Sequence, residues 1–170
     1  MDTREIGTPE SISARHDLSE FDSGEPVLDE WLRRRALHNK TGGASRTYVV
    51  CAGGKVVGYY ALSAGAIAHA GAPGRIKRNM PDPIPVIILG RLAVHQGLQG
   101  KGVGTALLRD AVLRTMQAAE IAGIRALLVH ALSDTAKRFY QKYGFIESPV
   151  DPMTIMITIA KARKILAGKI

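Results

Sequence analysis

Cysteine is almost missing from this 170-residue chain: Cys51 stands alone, which excludes an internal disulfide and any zinc site built on cysteine pairs. Long apolar runs are missing too, since none approaches the roughly 20 residues that a membrane span requires. The opening MDTREIGTPE has neither the basic start nor the apolar stretch of a secretory signal, so a reduced, cytoplasmic protein is expected. Repeats and low-complexity stretches are absent, and aromatics amount to only 5%. With so few rings, broad stacking on nucleic-acid bases is not expected. The five histidines (His16, His38, His69, His95, His130) show no paired metal spacing, so no metal is expected and each reads as structural, His95 being the one nearest the chemistry described below. Cys51, in an apolar run, reads as core rather than nucleophile.

Acids are the most unevenly distributed residues. Residues 1–30 carry nine acids against Arg4 and Arg15, a net charge of −7, whereas residues 31–170 carry 21 bases against six acids, a net charge of +15. Between Trp31 and Pro81 there is no acid at all. An acidic start on a strongly basic body points to a polyanionic partner for that body. Apolar residues make up 46%, enough for one buried core, so the whole of 1–170 reads as a single domain with an acidic segment 1–30 and a basic tail 160–170.

Local patterns place the elements. Ile12–Leu18 alternates loosely and reads as a first strand. From Pro26 a helix is expected, with Val27, Leu28, Trp31, Leu32 and Ala36 at helical spacing, stopped by Thr41-Gly42-Gly43. Its acids come first and its bases last, as the helix dipole prefers, and this competes with a nucleic-acid role for Arg33 and Arg34. Arg46–Ala52 and Lys55–Ala61 are β-rich runs separated by Gly53-Gly54, a hairpin signal, with the second continuing through Ser63–Ala68. His69–Pro85 reads as a long basic loop holding Arg75, Lys77 and Arg78. Val86–His95 is nearly continuously apolar, as in a central strand covered on both faces. A glycine-rich turn, Gly97–Gly104, leads into a helix from about Val103 to Ala122 with Leu108, Val112, Met116 and Ala119 as its buried stripe. Arg125–Leu132 is another strand, Ser133 an N-cap for a short helix stopped by Gly144, and Met153–Ile159 a last strand before the basic tail with Lys161, Arg163 and Lys164. The class is α/β, a mixed sheet with helices.

The chemistry lies in the strand–glycine turn–helix unit at 86–122. Glycines at alternate positions let backbone approach a ligand, and a helix N-terminus offers unpaired N–H groups to phosphate. Walker A needs a Gly-Lys-Ser/Thr string that does not occur here. The dinucleotide fingerprint fails because its third glycine falls one position early and Glu120 lies within the helix.

What remains, LGRLAVHQGLQGKGVGTALL, resembles the coenzyme A pyrophosphate loop of GNAT-type acetyltransferases, and ALLVHALSDTAKRFYQKYGFIESP resembles the strand and helix that follow it in that family. With FDSGEPVLDEWL, RTYVVCA, GYYALSAG, RNMPDPIPVIILGRLAV and AEIAGIRALLVHAL, the likeness over residues 15–160 is to the GNAT toxins of toxin–antitoxin pairs, which acetylate the amino acid on charged tRNA. The resemblance implies a GNAT fold opened between two central strands. It implies acetyl-CoA as co-substrate, held by the main chain of Leu92, Ala93 and Val94, by the loop Gln99, Gly100, Lys101, Gly102, Val103, Gly104 and Thr105, and by Ser133. It implies Tyr140 as the acid that reprotonates the leaving sulfur, with Tyr143 one turn on as a competitor and Phe139 in the core. Partners implied are aminoacyl-tRNA, a ribbon-helix-helix antitoxin and a second copy of the chain.

Physical chemistry bears on this. A phenol of ordinary pKa about 10 is protonated at neutral pH without tuning. No carboxylate occurs between Asp82 and Asp110, beside the presumed thioester. A lysine amine is only ~0.04% free at pH 7, an α-amine roughly 10–17%, so a site without a carboxylate base fits an α-amine better, with Glu20, Glu25 or a water chain as the alternative routes for the proton. The RNA-contact candidates are Arg33, Arg34, Arg75, Lys77, Arg78 and Arg91. An unpaired Arg91 inside an apolar strand would be costly, so it is either ion-paired or turned out toward RNA. An acetyltransferase of small amines or protein N-termini, and a non-catalytic phosphate-gripping module, are the alternatives.

Overall fold

The computed structural model describes residues 5–168; Asp2 and Arg4 of the acidic segment, and the end of the basic tail, lie outside them. Seven strands form one mixed sheet in the order β1-β2-β3-β4-β5-β7-β6. The chain divides into two compact units, one of residues up to Ser63 with Gly90–Asp110, the other Ala64–Leu89 with Ala111–Ile170, so that β3, β4 and the longest helix run from one into the other.

In the first unit, β1 (Glu10–Ser11) ends before Ile12–Leu18, where the alternation predicts a strand and the chain forms none, only an isolated bridge from Asp17 to Lys55. Ser13 and His16 close a turn instead: His16 N donates to Ser13 O (3.2 Å) and Ser13 N to His16 Nδ1 (2.9 Å). A side chain that bonds local backbone competes with the ladder, and here it wins. The helix starting at Pro26 is broken in two, α1 (Pro26–Arg34) and α2 (Ala36–Gly42), at Arg35 with φ −120°. That break brings Ala36 fully into a core of Ile12, Phe21, Leu28, Leu32, Val49, Val56 and Tyr59, against which Trp31 and Cys51 pack. Each fully buried side chain of this size contributes about 1.5–3 kcal/mol. β2 (Arg46–Ala52) and β3 (Lys55–Ile67) pair antiparallel through Ala52↔Lys55, across Gly53 (φ 57°) and Gly54 (φ 81°). Two left-handed residues in succession are what a two-residue hairpin with matching twist requires.

In the second unit, the predicted loop after β3 is folded. A 3-10 turn at His69–Gly71 and the short helix α3 (Gly74–Lys77) seat Ala72 and Ile76 in a core with Ile84, Val86, Ala126, Leu128 and Met156. Arg125 holds it from the other side, donating through Nε to Ile76 O (3.0 Å) and through Nη2 to Arg75 O (2.8 Å). β4 (Ile84–Val94) runs parallel to β5 (Ala126–His130), after the long helix α4 (Val103–Ile121), and β5 pairs antiparallel with β7 (Thr154–Thr158). α4 buries Leu107, Leu108, Ala111 and Val112, with Met116 and Ala119 half-buried. Between β5 and β7 come α5 (Asp134–Lys142) and a two-residue strand β6 (Ile146–Glu147) that no periodicity announces. The expected basic tail is largely a helix, α6 (Ile159–Leu166), capped by Thr158 and anchored through Ala162 and Ile165. No helix among the described residues is long and apolar enough to cross a membrane.

Candidate active site

β4 positions the first part of the site. Its parallel register with β5 runs from Val86↔Ala126 to Leu89↔Val129, and the strand then continues through Gly90–Val94 beyond that pairing. Leu92, Ala93 and Val94 occupy this stretch, Ala93 and Val94 with buried side chains. A strand that outruns its neighbour has main-chain groups to offer a ligand, because backbone N–H and C=O groups demand partners.

The loop that follows is pinned at its start. Gln99 Nε2 donates to Val94 O (2.8 Å) and to Ser23 O (2.7 Å), tying the turn to the end of β4 and to the segment before α1. Gly100 (φ 77°) and Gly102 (φ 87°) are left-handed, and a Cβ built on either meets no heavy atom within 4 Å. Glycine is required here by conformation rather than by crowding, and the space above both is open. Val103, Gly104 and Thr105 form the first turn of α4, whose N–H groups have no intrahelical acceptor and carry the positive end of the dipole. With exposed Lys101 between the two glycines, the arrangement suits a diphosphate.

α5 carries the acid candidate. Ser133 caps it, accepting from Ala136 N (3.1 Å), as its position before the helix predicts. Tyr140 packs edge-on to Phe139 (centroids 5.1 Å apart) and against Phe145 (5.4 Å). It is buried, its hydroxyl makes no hydrogen bond to any described residue, and burial raises its pKa well above the phenol's ordinary value. Tyr143 is equally buried, whereas Phe139, expected in the core, is only half-buried.

The basic candidates divide. Arg34, Arg75, Lys77 and Arg78 are exposed. Arg33 spends part of its guanidinium on Phe21 O (2.9 Å). Arg91 makes no ion pair among the described residues and does not simply face water: its guanidinium lies 4.4 Å from the centroid of the Trp31 ring, which stacks on Tyr59 at 6.0 Å and 10°. Desolvation there pulls the Arg91 pKa down. Cation–π stacking is a third solution to a guanidinium in an apolar strand, one that the sequence does not show.

Among the histidines, His95 is held by Asp22 N, which donates to its Nδ1 (3.2 Å), and tilts against Phe21. Glu10, His16 and Cys51 bring three potential metal-ligand atoms within 4.8 Å of one another. Because His16 Nδ1 accepts from Ser13 N, its Nε2 carries the proton and donates to Glu10 (2.7 Å), so the ring is hydrogen-bonded rather than open to a cation. Burial pushes the Cys51 thiol up, away from the reactive thiolate. His130 is the residue whose surroundings the sequence hides; its side chain is tied to Thr154 of β7, 24 residues on.

The chain thus carries, in order, a strand that continues past its pairing with its parallel neighbour, a left-handed glycine turn, a helix N-terminus and, after the next strand, a tyrosine-bearing helix. Residues 43–147 match the acetyltransferase (GNAT) domain. A tRNA-acetylating toxin of Mycobacterium tuberculosis is 53% identical over 158 residues, 93% of this chain and 95% of that protein. A probable toxin TacT of Sinorhizobium fredii is 29% identical over 89% of this chain and 90% of its own length. Among solved structures, AtaT complexed with acetyl-methionyl-tRNAfMet matches with a TM-score of 0.86 at 30% identity, over 93% of this chain and 97% of that one. A tyrosine-to-phenylalanine mutant of KacT matches with a TM-score of 0.88 at 27% identity, over 94% and 98%. The chain belongs to the GNAT acetyltransferase family, in the branch of the tRNA-acetylating toxins.

Proposed function

We propose that this protein transfers the acetyl group of acetyl-CoA to the α-amine of the amino acid on charged tRNA, and so blocks translation in the cytoplasm. The observation that carries the reading is 53% identity, over 93% of the chain, to a tRNA-acetylating toxin. The loop from Gln99 to Thr105 takes the pyrophosphate, with Lys101 as its charge and Ser133 adding a contact. The amides of Leu92, Ala93 and Val94 orient the pantetheine and the thioester carbonyl, where a developing oxyanion needs donors placed in advance. The unprotonated amine attacks that carbonyl directly. Tyr140, kept neutral by burial and with its hydroxyl unspent, gives a proton to the departing thiolate.

Arg33, Arg34, Arg75, Lys77, Arg78 and Arg91 serve the RNA, through phosphate contact rather than base readout. Solved relatives bear on the partners: AtaT is bound to the C-terminus of the antitoxin AtaR, and KacTA forms a complex with DNA. We propose further that the chain is a homodimer and that its antitoxin is of ribbon-helix-helix type, as the resemblance to this family implies.

The test is incubation with labelled acetyl-CoA and total charged tRNA. Label is expected on the aminoacyl group, lost on ribonuclease treatment, with substrate binding that weakens steeply as salt rises. Charge reversal at Arg75, Lys77 or Arg78 should each reduce the salt slope by about one. Label appearing instead on a free amine or a protein N-terminus, insensitive to ribonuclease, overturns the tRNA assignment.

A further inference from the structure

β4 and the loop after it contribute no carboxylate, since none occurs between Asp82 and Asp110, and Asp22, which reaches the end of the strand, is already accepting from Gln96 Nε2 and Gly24 N; the other strand of the parallel pair ends in a histidine. His130 is the last residue of β5, one beyond Val129, where the register with β4 stops. It is exposed, and opposite it on β7 stands Thr154, which is 5% exposed. His130 Nδ1 lies 2.9 Å from Thr154 Oγ1, and Thr154 Oγ1 donates to Asp151 Oδ2 (2.8 Å). A hydroxyl has one proton, so with that proton on the carboxylate the threonine oxygen must accept from the imidazole. Nδ1–H is thereby fixed, and Nε2 is left as a bare lone pair with no partner among the described residues. Asp151 is itself held, accepting from Met153 N (3.0 Å), and stays ionised well below the usual carboxylate range. Lys137, one turn before Tyr140 on α5, adds its charge to Asp151 while pairing with Glu147 of β6 (2.5 Å). The titratable groups tied to this arrangement are Asp151 from the turn before β7, Lys137 of α5 acting on Asp151 and, through its ion pair with Lys137, Glu147 of β6.

We propose that His130, oriented by Thr154 and Asp151, is the general base that takes a proton from the α-ammonium of the acceptor. The inference rests on the aminoacyl-tRNA reading above and adds to it the proton acceptor that the sequence lacks near β4. The balance closes. Nε2 takes one proton from R–NH3+, and the free amine attacks the thioester, forming C–N as C–S breaks. The thiolate takes the Tyr140 proton, the second proton of the attacking nitrogen restores that phenol, and His130 passes its own to water. Asp151 and Thr154 are positioning residues, since they act only by setting the tautomer and aim of the ring.

The experiment measures kcat/KM for aminoacyl-tRNA against pH in the full-length protein, with acetyl-CoA affinity as the check on folding. His130→Ala is expected to lose about 10²-fold at pH 6.5, where the amine is mostly protonated, and under ~5-fold at pH 9, where it is mostly free, with acetyl-CoA affinity unchanged. Added imidazole should restore much of the low-pH rate. Thr154→Val should lose about 5-fold at pH 6.5 while Thr154→Ser retains the wild-type rate, as a tether by one hydroxyl requires. Wild-type activity of His130→Ala at pH 6.5, or an equal loss at both pH values without imidazole rescue, overturns the proposal. A wild-type protein that leaves charged tRNA unacetylated overturns the underlying reading instead, and this inference with it.

Discussion

The Arg91 guanidinium lies over the Trp31 ring at 4.4 Å from its centroid, joining β4 to α1 across sixty positions of sequence. Its five N–H donors have no carboxylate partner among the described residues, and the ring supplies only a face. The guanidinium is therefore held in place with its donors unspent, which suits a phosphodiester. Arg91→Ala is expected to raise the KM for charged tRNA about tenfold while leaving acetyl-CoA affinity within twofold, as one lost charge-assisted contact of about 1.5 kcal/mol implies. Arg91→Lys should not rescue it, because an ammonium neither stacks nor forks. Filter binding at several salt concentrations decides the matter, and equal loss for both substrates would show that Arg91 supports the fold rather than the RNA.

Tyr140 predicts a sharper separation. Its hydroxyl makes no hydrogen bond to a described residue, so Tyr140→Phe should leave thermal stability and acetyl-CoA binding close to wild type. Turnover should fall by about 10²-fold or more, the size of general acid catalysis. In cells the substitution should relieve growth arrest. Arrest that persists in well-folded Tyr140→Phe would sink the acid role, and Tyr143→Phe is the control for the neighbouring ring.

At Gly102, with φ 87° and open space where a Cβ would sit, alanine costs about 1–2 kcal/mol of backbone strain and intrudes into the volume assigned to pyrophosphate. Gly102→Ala should therefore weaken acetyl-CoA binding at least tenfold in calorimetry while charged-tRNA binding is kept. Gly43, left-handed at φ 78° with open space where a Cβ would sit and outside the site, is the matched control.

Stability should have an acid limb. Hydrogen bonds from His16 and then Arg15 hold the Glu10 carboxyl below its usual pKa, Ser19 does the same for Asp17, and Gln96 with Gly24 for Asp22. A carboxyl whose folded pKa is depressed favours the folded state above its unfolded pKa, and that contribution is lost as pH falls through the folded value. Urea unfolding is expected to show stability declining below about pH 4 as these carboxyls are protonated. A maximum of stability near pH 3 would contradict these assignments.

Local chemistry made much of the fold legible in the sequence. The apolar run of β4, the Gly53-Gly54 hairpin, the glycine turn into α4 and the Ser133 cap each depend on residues within one or two turns of one another, and each is found where the pattern puts it. Glycines at 100 and 102 were legible for the same reason, whereas Tyr140 was singled out by the resemblance to the family. The end of β1 before Ile12, the break at Arg35 and the helix α3 were not legible, because a His16–Ser13 bond, the burial of Ala36 and the seating of Ile76 prevail over local propensity only in the folded chain.

Sequence alone determined the class of site, since a glycine-rich turn between an apolar strand and a helix can be recognised without knowing what surrounds it. Tertiary structure decided what the lone side chains are for. Whether Arg91 finds a carboxylate or a ring, and which nitrogen of His130 keeps its lone pair, depends on strand register and helix placement, and on partners tens of residues away whose positions no nearest-neighbour preference encodes.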